Sequence, residues 1–154
     1  MKKINILGIG NALVDKQFLI DDSFLKDISI DKGTMGLCES NYQEELYKKL
    51  SRHYKKSKDA CGGSATNTIF AASSLGSSCG FIGKVAKDTN GKFYKEDLDR
   101  IGIQNNIIGD GKESTGTCLI MISPDAERTM STCLGISANL NFSDIDQNLL
   151  ATSE

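Results

Sequence analysis

Two polar residues follow the first apolar run of the sequence, at a place where many α/β proteins bind ligands. Residues 4–9 form this short apolar run, and Asn11 and Asp15 come soon after it. Open α/β sheets bind their ligands beyond the carboxyl ends of the strands. A carboxylate there can accept two hydrogen bonds from vicinal hydroxyls of a sugar. Asp15 is therefore a candidate for hydroxyl binding, and the alternative, that it caps a turn, stays open.

The glycines at the start of the chain do not make a dinucleotide site. Gly8 and Gly10 match the first two glycines of the dinucleotide fingerprint, but Leu13 stands where the third belongs. Without that glycine, the close packing of helix on strand fails.

A second candidate site is the segment at residues 61–67, which reads Cys-Gly-Gly-Ser-Ala-Thr-Asn. Gly62 and Gly63 can adopt backbone angles that other residues avoid, and they let a ligand approach the main chain. A helix predicted to begin near Ser64 would present unpaired N–H groups, and the amide of Asn67 can both donate to and accept from a hydroxyl. The alternative is an ordinary glycine-rich turn.

The third candidate site combines residues 114–118 with Arg128 and Met130 on the return strand of a predicted hairpin. Arg128 can place a positive charge near a phosphate, while the thioether of Met130 covers a ring. The alternative for Arg128 is an edge-strand cation that keeps the protein soluble.

The composition limits the class of protein. The chain has 154 residues, 39% hydrophobic and 25% charged, as expected for one soluble domain. A formal charge of −2 gives no electrostatic reason to expect nucleic acid or an anionic membrane as partner. No apolar run reaches the roughly 20 residues of a membrane span. The five cysteines are widely spaced and accompanied by one histidine, which predicts reduced thiols in a cytoplasmic protein and no metal site.

The elements that must position these residues alternate between strand and helix. Strands are predicted at residues 4–9, 16–20, 33–37 and 79–85, the first of them buried on both faces. Helices are predicted at residues 21–28, 40–56, 65–75 and 91–101, the second opened by a capping box at residues 40–43. The pattern then predicts a hairpin with strands at residues 117–123 and 128–134. A last short helix is predicted to be capped within residues 143–146. This order indicates an α/β core with a small β layer attached.

Taken together, these segments resemble the ribokinase-like (phosphofructokinase-B) family of carbohydrate and nucleoside kinases, and most closely its adenosine-kinase-like branch. The first motifs are Gly-x-Gly-Asn-Ala-x-x-Asp at residues 8–15, Gly-Gly-Ser-Ala-Thr-Asn at 62–67 and Leu-Gly at 75–76. The others are Phe-Ile-Gly-Lys-Val-Ala-Lys-Asp at residues 81–88, Gly91, Thr-Gly-Thr-Cys at 115–118 and Glu-Arg-Thr-Met at 127–130. Each motif is short, but their order and spacing across the chain are typical of the family.

The resemblance implies a fold: the N-terminal part of one ribokinase-like doubly wound α/β sheet, residues 1–154, with a small β-sheet lid. The lid segments would be about residues 14–38 and 115–135. Gly62 and Gly63, next to Ser64, would form the hinge of this lid.

The resemblance also implies roles for the candidate residues. Asp15 and Asn67 would hold sugar or ribose hydroxyls, supported by Asn11. Cys118, Met130 and Met35 would cover the ring of the substrate, and Arg128 would approach the transferred phosphoryl group.

The reaction implied for a full-length family member is transfer of the γ-phosphoryl group of ATP to a primary hydroxyl of a nucleoside such as adenosine, or of a sugar. Its cofactors would be ATP and Mg²⁺, with a monovalent cation as a further candidate. The catalytic aspartate of the family belongs to a Gly-Ala-Gly-Asp motif, which does not occur in this sequence. We expect that motif, and the magnesium-linked Asn-x-x-Glu motif, in a C-terminal half that these residues do not include. No catalytic residue and no metal ligand is therefore assigned here, and the isolated chain is expected to be inactive.

Other classes of protein stay open. A non-catalytic module that binds a small polyol or nucleoside would keep Asp15 and Asn67 and need no base. A structural role, such as a lid-mediated homodimer, would use the exposed edge of the hairpin strands. A half-sheet would also expose apolar surface, so self-association is expected.

Overall fold

The computed structural model describes residues 3–109, 113–151 and 153. Its strands are β1 (Ile6–Ile9), β2 (Leu13–Leu19), β3 (Met35–Leu37), β4 (Lys56–Gly62), β5 (Cys79–Val85), β6 (Gln104–Gly109), β7 (Gly116–Ile122) and β8 (Arg128–Cys133). Its helices are α1 (Asp22–Asp27), α2 (Ser40–His53), α3 (Ser64–Ser74), α4 (Thr89–Arg100) and α5 (Gln147–Ala151), with 3-10 turns at Gly135–Asn139 and Phe142–Asp144. The chain divides into a first unit, Met1–Val14, Cys61–Gly116 and Leu134–Glu154, and a second unit, Asp15–Ala60 and Thr117–Cys133.

The first unit contains a three-stranded parallel sheet in the order β1-β5-β6. In its middle strand, Phe81 lies beside Gly8 of β1 and Asn105 of β6. All of β5 is buried, as its nearly continuous apolar run predicts. Helix α3 packs against β1 and β5. A Cβ atom on Gly8 would lie 2.8 Å from Cγ2 of Ile69, so this glycine allows the helix to approach the sheet closely.

Helix α4 of the first unit is built from a cap and an apolar stripe. The carboxylate of Asp88 accepts the N–H of Gly91 at 2.7 Å and so caps the helix. Tyr94 and Leu98, four residues apart, are both fully buried in the core of this unit.

The second unit is built around a mixed five-stranded sheet in the order β3-β8-β7-β2-β4. Strands β7 and β8 form the antiparallel hairpin, and β3 runs parallel to β8. One face of the sheet packs against α2, where Leu46 and Leu50 join Phe18, Leu119 and Met121 in a common core. Residues of the second unit therefore have a hydrophobic core of their own.

The structure confirms the α/β class and several of the predicted elements. Strand β5 has the predicted bounds, and α3 and α4 begin one or two residues before the predicted starts. Gly76 and Gly102 end these helices with φ of 94° and 74°. The hairpin of β7 and β8 was also predicted correctly.

Two predicted features of α2 were wrong. The helix ends at His53 rather than near residue 56, and Lys56 begins strand β4 instead. The capping box is also absent, because Glu39 is the N-cap and makes no side-chain cap. Gln43 is buried instead, and its amide donates to the carbonyls of Thr117 and Ser131 at 2.9 and 3.1 Å.

Strands β6 and β1 differ from the predictions, whereas the cap of the last helix lies where it was predicted. Strand β6 was not predicted, because its sequence is polar in its first half. Strand β1 is shorter than predicted and is not buried on both faces, since Ile6 and Ile9 are 38% and 40% exposed at the edge of the sheet. In the C-terminal segment, Asp146 accepts the N–H groups of Asn148 and Leu149 and so caps α5 from within the predicted residues 143–146. Asn141 and Asp144 form a capping box around the preceding 3-10 turn.

The five cysteines are free thiols, of which Cys38 is half-buried and the others are buried. In the part of the chain that the structure describes, no helix combines the length and the apolar character that a membrane span requires.

Candidate functional site

One face of the five-stranded sheet carries the predicted lid residues. Side chains alternate between the two faces of a strand. Because Phe18, Leu119 and Met121 point to α2, the alternate positions on the same strands point away from it. We call this opposite face the site face. Its predicted members are Asp15 on β2, Cys118 on β7, Arg128 and Met130 on β8, and Met35 on β3.

The register of the strands sets the order of these residues on the site face. Met35 lies directly beside Met130, and Met130 lies opposite Ile120. Cys118 lies opposite Thr132, whose hydroxyl donates to the Cys118 sulfur at 3.2 Å. Met35 is 58% exposed, whereas Cys118 is buried. Two thioethers and a thiol thus form a soft apolar strip that could cover a flat ring.

Asp15 is the acidic residue among the predicted members of the site face, and it is half-buried on β2. Burial raises the pKa of Asp15 to about 6, and the positive charge of Arg128 opposes that rise. At pH 7 the carboxyl is mainly ionised, so it can accept hydrogen bonds from two hydroxyls. The binding of substrate hydroxyls by Asp15 stays a prediction.

Cys118 stays a neutral thiol under ordinary conditions. Burial raises the pKa of Cys118 to about 11; the Thr132 hydroxyl opposes the rise and the charge of Asp15 adds to it. A thiol with so high a pKa is a poor nucleophile and a poor metal ligand at neutral pH. Its contribution is therefore that of a small apolar group that packs.

The candidate residues of the first unit surround the Gly62–Gly63 loop, the turn that joins β4 to α3. Gly63 has φ of 95°, a conformation that other residues rarely adopt. A Cβ atom at this position would lie 2.4 Å from the backbone oxygen of Asn11. The loop therefore needs glycine both for its backbone angle and for its contact with the segment after β1.

The first turn of α3 places polar groups next to this loop. Gly63 is the N-cap and offers no side-chain cap, and the N–H of Asn67 donates to the Gly63 carbonyl at 2.9 Å. The side chains of Ser64 and Asn67 are exposed, as is Asn11. Asn67 is thus held by the helix with its amide accessible to a ligand.

Some residues around these groups were not identified from the sequence. Leu37 and Thr132 belong to the site face, and the period-two alternation of β3 and β8 could have indicated them. The buried hydroxyls of Thr66 and Tyr94, which contact each other beneath the Gly62–Gly63 loop, have no recognisable signal in the sequence.

The described residues do not fit a metal site. Among them, no three His, Cys, Asp or Glu side chains lie close enough together to hold a metal ion. The letters Asn-x-x-Glu do occur in the sequence, at Asn41 and Glu44, but these are exposed residues in the N-terminal half of α2. Asn41 there accepts the N–H of Tyr42 at 2.8 Å. No step through Mg²⁺ or ATP follows from this chain.

Comparisons with known proteins identify the family of the chain. Residues 35–154 match the profile of the pfkB family carbohydrate kinases. Adenosine kinase 2 of Arabidopsis thaliana is 28% identical over 123 residues, which are 76% of this chain and 34% of that protein. The chain therefore spans about a third of the length of this curated relative.

Two solved structures resemble the chain over nearly its full length. They are the adenosine kinase from Sinorhizobium meliloti, at 34% identity, and a probable sugar kinase protein from Rhizobium etli CFN 42, at 30% identity. Each has a TM-score of 0.89, covering 99% of this chain and 46% of the solved chain. The predicted ribokinase-like, adenosine-kinase-like fold is thus confirmed, and the chain belongs to the pfkB family of carbohydrate kinases.

Proposed function

We propose that this chain supplies the substrate-binding half of a kinase that transfers the γ-phosphoryl group of ATP to a primary hydroxyl of a nucleoside or a sugar. Asp15 accepts hydrogen bonds from vicinal hydroxyls of the substrate, and Asn67 of the first unit is a second hydroxyl partner, with Asn11 in support. We propose that the second unit is the lid, since its residues Asp15–Ala60 and Thr117–Cys133 include most of the predicted segments at about residues 14–38 and 115–135 together with α2.

The observation that carries this proposal is the composition of the site face. It combines one mainly ionised carboxylate, Asp15, with the apolar strip of Met35, Met130 and Cys118 and with the cation Arg128. A nucleoside presents the matching chemistry, since it has vicinal hydroxyls on the ribose and a flat ring. The strip therefore favours a nucleoside over a simple sugar, which has no flat base to cover.

The similarity to adenosine kinases and to a probable sugar kinase supports the same two substrate classes. Arg128 is exposed, and in the proposal it approaches the transferred phosphoryl group. Phosphoryl transfer also needs charge neutralisation and a base for the hydroxyl, and the Gly-Ala-Gly-Asp motif that provides this base in the family does not occur in the sequence. The chain alone is therefore proposed to bind substrate without phosphorylating it. The free thiols support a cytoplasmic location, where cysteines stay reduced.

Isothermal titration calorimetry of the purified chain with adenosine, and separately with ribose and fructose, tests the proposal. We expect adenosine to bind and the Asp15→Asn variant to lose at least about tenfold in affinity, since it loses the charge-assisted hydrogen bonds. Asp27→Asn, which alters an exposed acid on α1 of the same unit, is the matched control and should bind as the wild type does.

Two results would argue against the proposal. One is a folded chain that binds none of the three compounds, and the other is adenosine binding that Asp15→Asn leaves unchanged. Formation of AMP from ATP and adenosine by the pure chain would refute the separate claim that this half is inactive.

A further inference from the structure

Tyr94 of α4 is a tyrosine whose hydroxyl lies in the core of the first unit. The residue is fully buried, and its ring packs against Phe81 with 6.0 Å between ring centroids. Burying a hydroxyl is unfavourable unless it finds partners. This hydroxyl contacts Thr66 Oγ1 at 2.5 Å and the carbonyl oxygen of Gly62 at 3.3 Å.

The direction of both hydrogen bonds follows from the single hydrogen of the Tyr94 hydroxyl. The hydroxyl of Tyr94 has one hydrogen, which it donates to the carbonyl of Gly62. The hydroxyl of Thr66 must then donate to the Tyr94 oxygen. The result is a short chain of hydrogen bonds that runs from α3 through Tyr94 to the end of β4.

These contacts hold the Gly62–Gly63 loop from both sides. Gly62 precedes the positive-φ residue Gly63, and Thr66 precedes Asn67 in the first turn of α3. The backbone oxygen of Tyr94 also accepts the thiol of Cys61 at 3.6 Å. One buried residue thus contacts the chain before the loop, within the loop and after it.

We infer that Tyr94 is a positioning residue whose hydroxyl holds the Gly62–Gly63 loop and the first turn of α3 in the conformation that presents Asn67 to the substrate. This inference rests on the proposed function for the identity of the ligand. It adds a residue that does not contact the substrate and acts through Gly62 and Thr66.

The test compares Tyr94→Phe with Thr66→Val and Thr66→Ser in the full chain. Tyr94→Phe keeps the ring but removes the hydroxyl, Thr66→Val removes the partner, and Thr66→Ser keeps the partner. Tyr54→Phe is the control, because the Tyr54 hydroxyl contacts only the exposed Asp21 among the described hydrogen-bond partners, at 3.5 Å. Two quantities are measured: adenosine affinity by calorimetry, and hydrogen exchange of the amides at residues 62–68 relative to those of β5.

We expect Tyr94→Phe and Thr66→Val to weaken adenosine binding about tenfold and to speed exchange at residues 62–68, while β5 remains protected. Thr66→Ser and Tyr54→Phe should behave as the wild type. A purely structural role would speed exchange in β5 as well and would leave the affinity of the folded protein unchanged, and that outcome would overturn the inference.

The two proposals fail in different ways. If the wild type binds no adenosine, the proposed function fails, and the exchange data alone decide whether Tyr94 holds the loop. If the wild type binds adenosine but neither variant changes affinity or local exchange, the inference about Tyr94 is wrong and the proposed function stands. If Tyr94→Phe does not fold, the contrast between Thr66→Val and Thr66→Ser tests the same hydrogen bonds.

Discussion

Burial raises the pKa of Asp15 to about 6, and the positive charge of Arg128, which lies with Asp15 on the site face, opposes that rise. The two residues belong to β2 and β8, the strands on either side of β7. An acid with a pKa near 6 changes from mainly protonated to mainly ionised between pH 5 and pH 7. Hydroxyl binding by Asp15 should therefore depend on pH within an accessible range.

Removing the charge of Arg128 should shift this dependence. In Arg128→Gln the pKa of Asp15 is expected to rise further, because burial then acts without the opposing cation. The pH at which adenosine affinity is half-maximal should move upward, as a calorimetric pH series would show. Arg52→Gln, an exposed residue on α2 in the same unit, is the control. An unchanged midpoint in Arg128→Gln would contradict the interaction of this residue with Asp15.

The same carboxyl should make the stability of the protein depend on pH. The pKa of Asp15 is about 6 in the folded state against an ordinary value of 3.8, so between these two pH values the folded state binds more protons than the unfolded state. The stability that Asp15 contributes is therefore fully present below pH 4 and is lost as the pH rises through 6. The wild type should lose about 1–3 kcal/mol over this range relative to Asp15→Asn.

Urea denaturation of both proteins between pH 4 and pH 8 measures this difference. Comparing the two proteins removes the contribution of other acids, such as Asp88, whose pKa is lowered because hydrogen bonds from Thr115 and Gly91 outweigh the effect of burial. A difference in unfolding free energy that stays constant with pH would show that Asp15 has an ordinary pKa.

Alanine substitutions at two glycines should separate backbone strain from steric conflict. Gly63 and Gly76 have nearly the same φ, 95° and 94°. A Cβ atom at Gly76 has no neighbour within 4 Å, whereas at Gly63 it meets the Asn11 oxygen at 2.4 Å. Gly76→Ala should cost about 1 kcal/mol of stability, and Gly63→Ala about 3 kcal/mol or more. Equal losses in thermal or urea unfolding would argue against the tight contact of the loop with Asn11.

Strong local patterns explain the elements that the sequence predicted well. Strand β5 is a nearly continuous apolar run, and α3 and α4 end at glycines with positive φ. Strand β4 was missed because its first residues are Lys, Ser and Lys at the edge of a sheet, without apolar alternation. Propensity alone cannot indicate such edge strands, since pairing with the neighbouring strand decides them.

The candidate site likewise contains residues that the sequence could indicate and contacts that it could not. Asp15, Gly63 and Asn67 could be selected because their types and spacing have a chemical meaning. The neighbour relation of Met35 and Met130 depends on the register of β3 and β8, which connects residues far apart in the sequence. The hydrogen bonds of Tyr94 arise from tertiary packing, so a sequence pattern could not reveal them.

The edge of β1 should cause self-association. Along Ile6–Ile9 the described partner strand is β5, on one side only, and Ile6 and Ile9 are substantially exposed. Replacing both by lysine should reduce association in sedimentation velocity experiments, because charge at a strand edge opposes pairing. Leu75→Lys is the control, since Leu75 is 88% exposed and is the C-cap of α3 rather than a strand residue. A wild type that sediments as a monomer, or an effect as large for Leu75→Lys, would contradict this prediction.

The most direct test of the account is calorimetric titration of the wild-type chain with adenosine at pH 5 and at pH 7.5. If Asp15 binds the substrate hydroxyls as a carboxylate with a pKa near 6, affinity should be about tenfold higher at pH 7.5. The Asp15→Asn variant should bind adenosine weakly, with the same affinity at pH 5 and at pH 7.5. Affinity that is the same at both pH values in the wild type, or binding that survives in Asp15→Asn, would contradict the central claim that Asp15 is the hydroxyl-binding group.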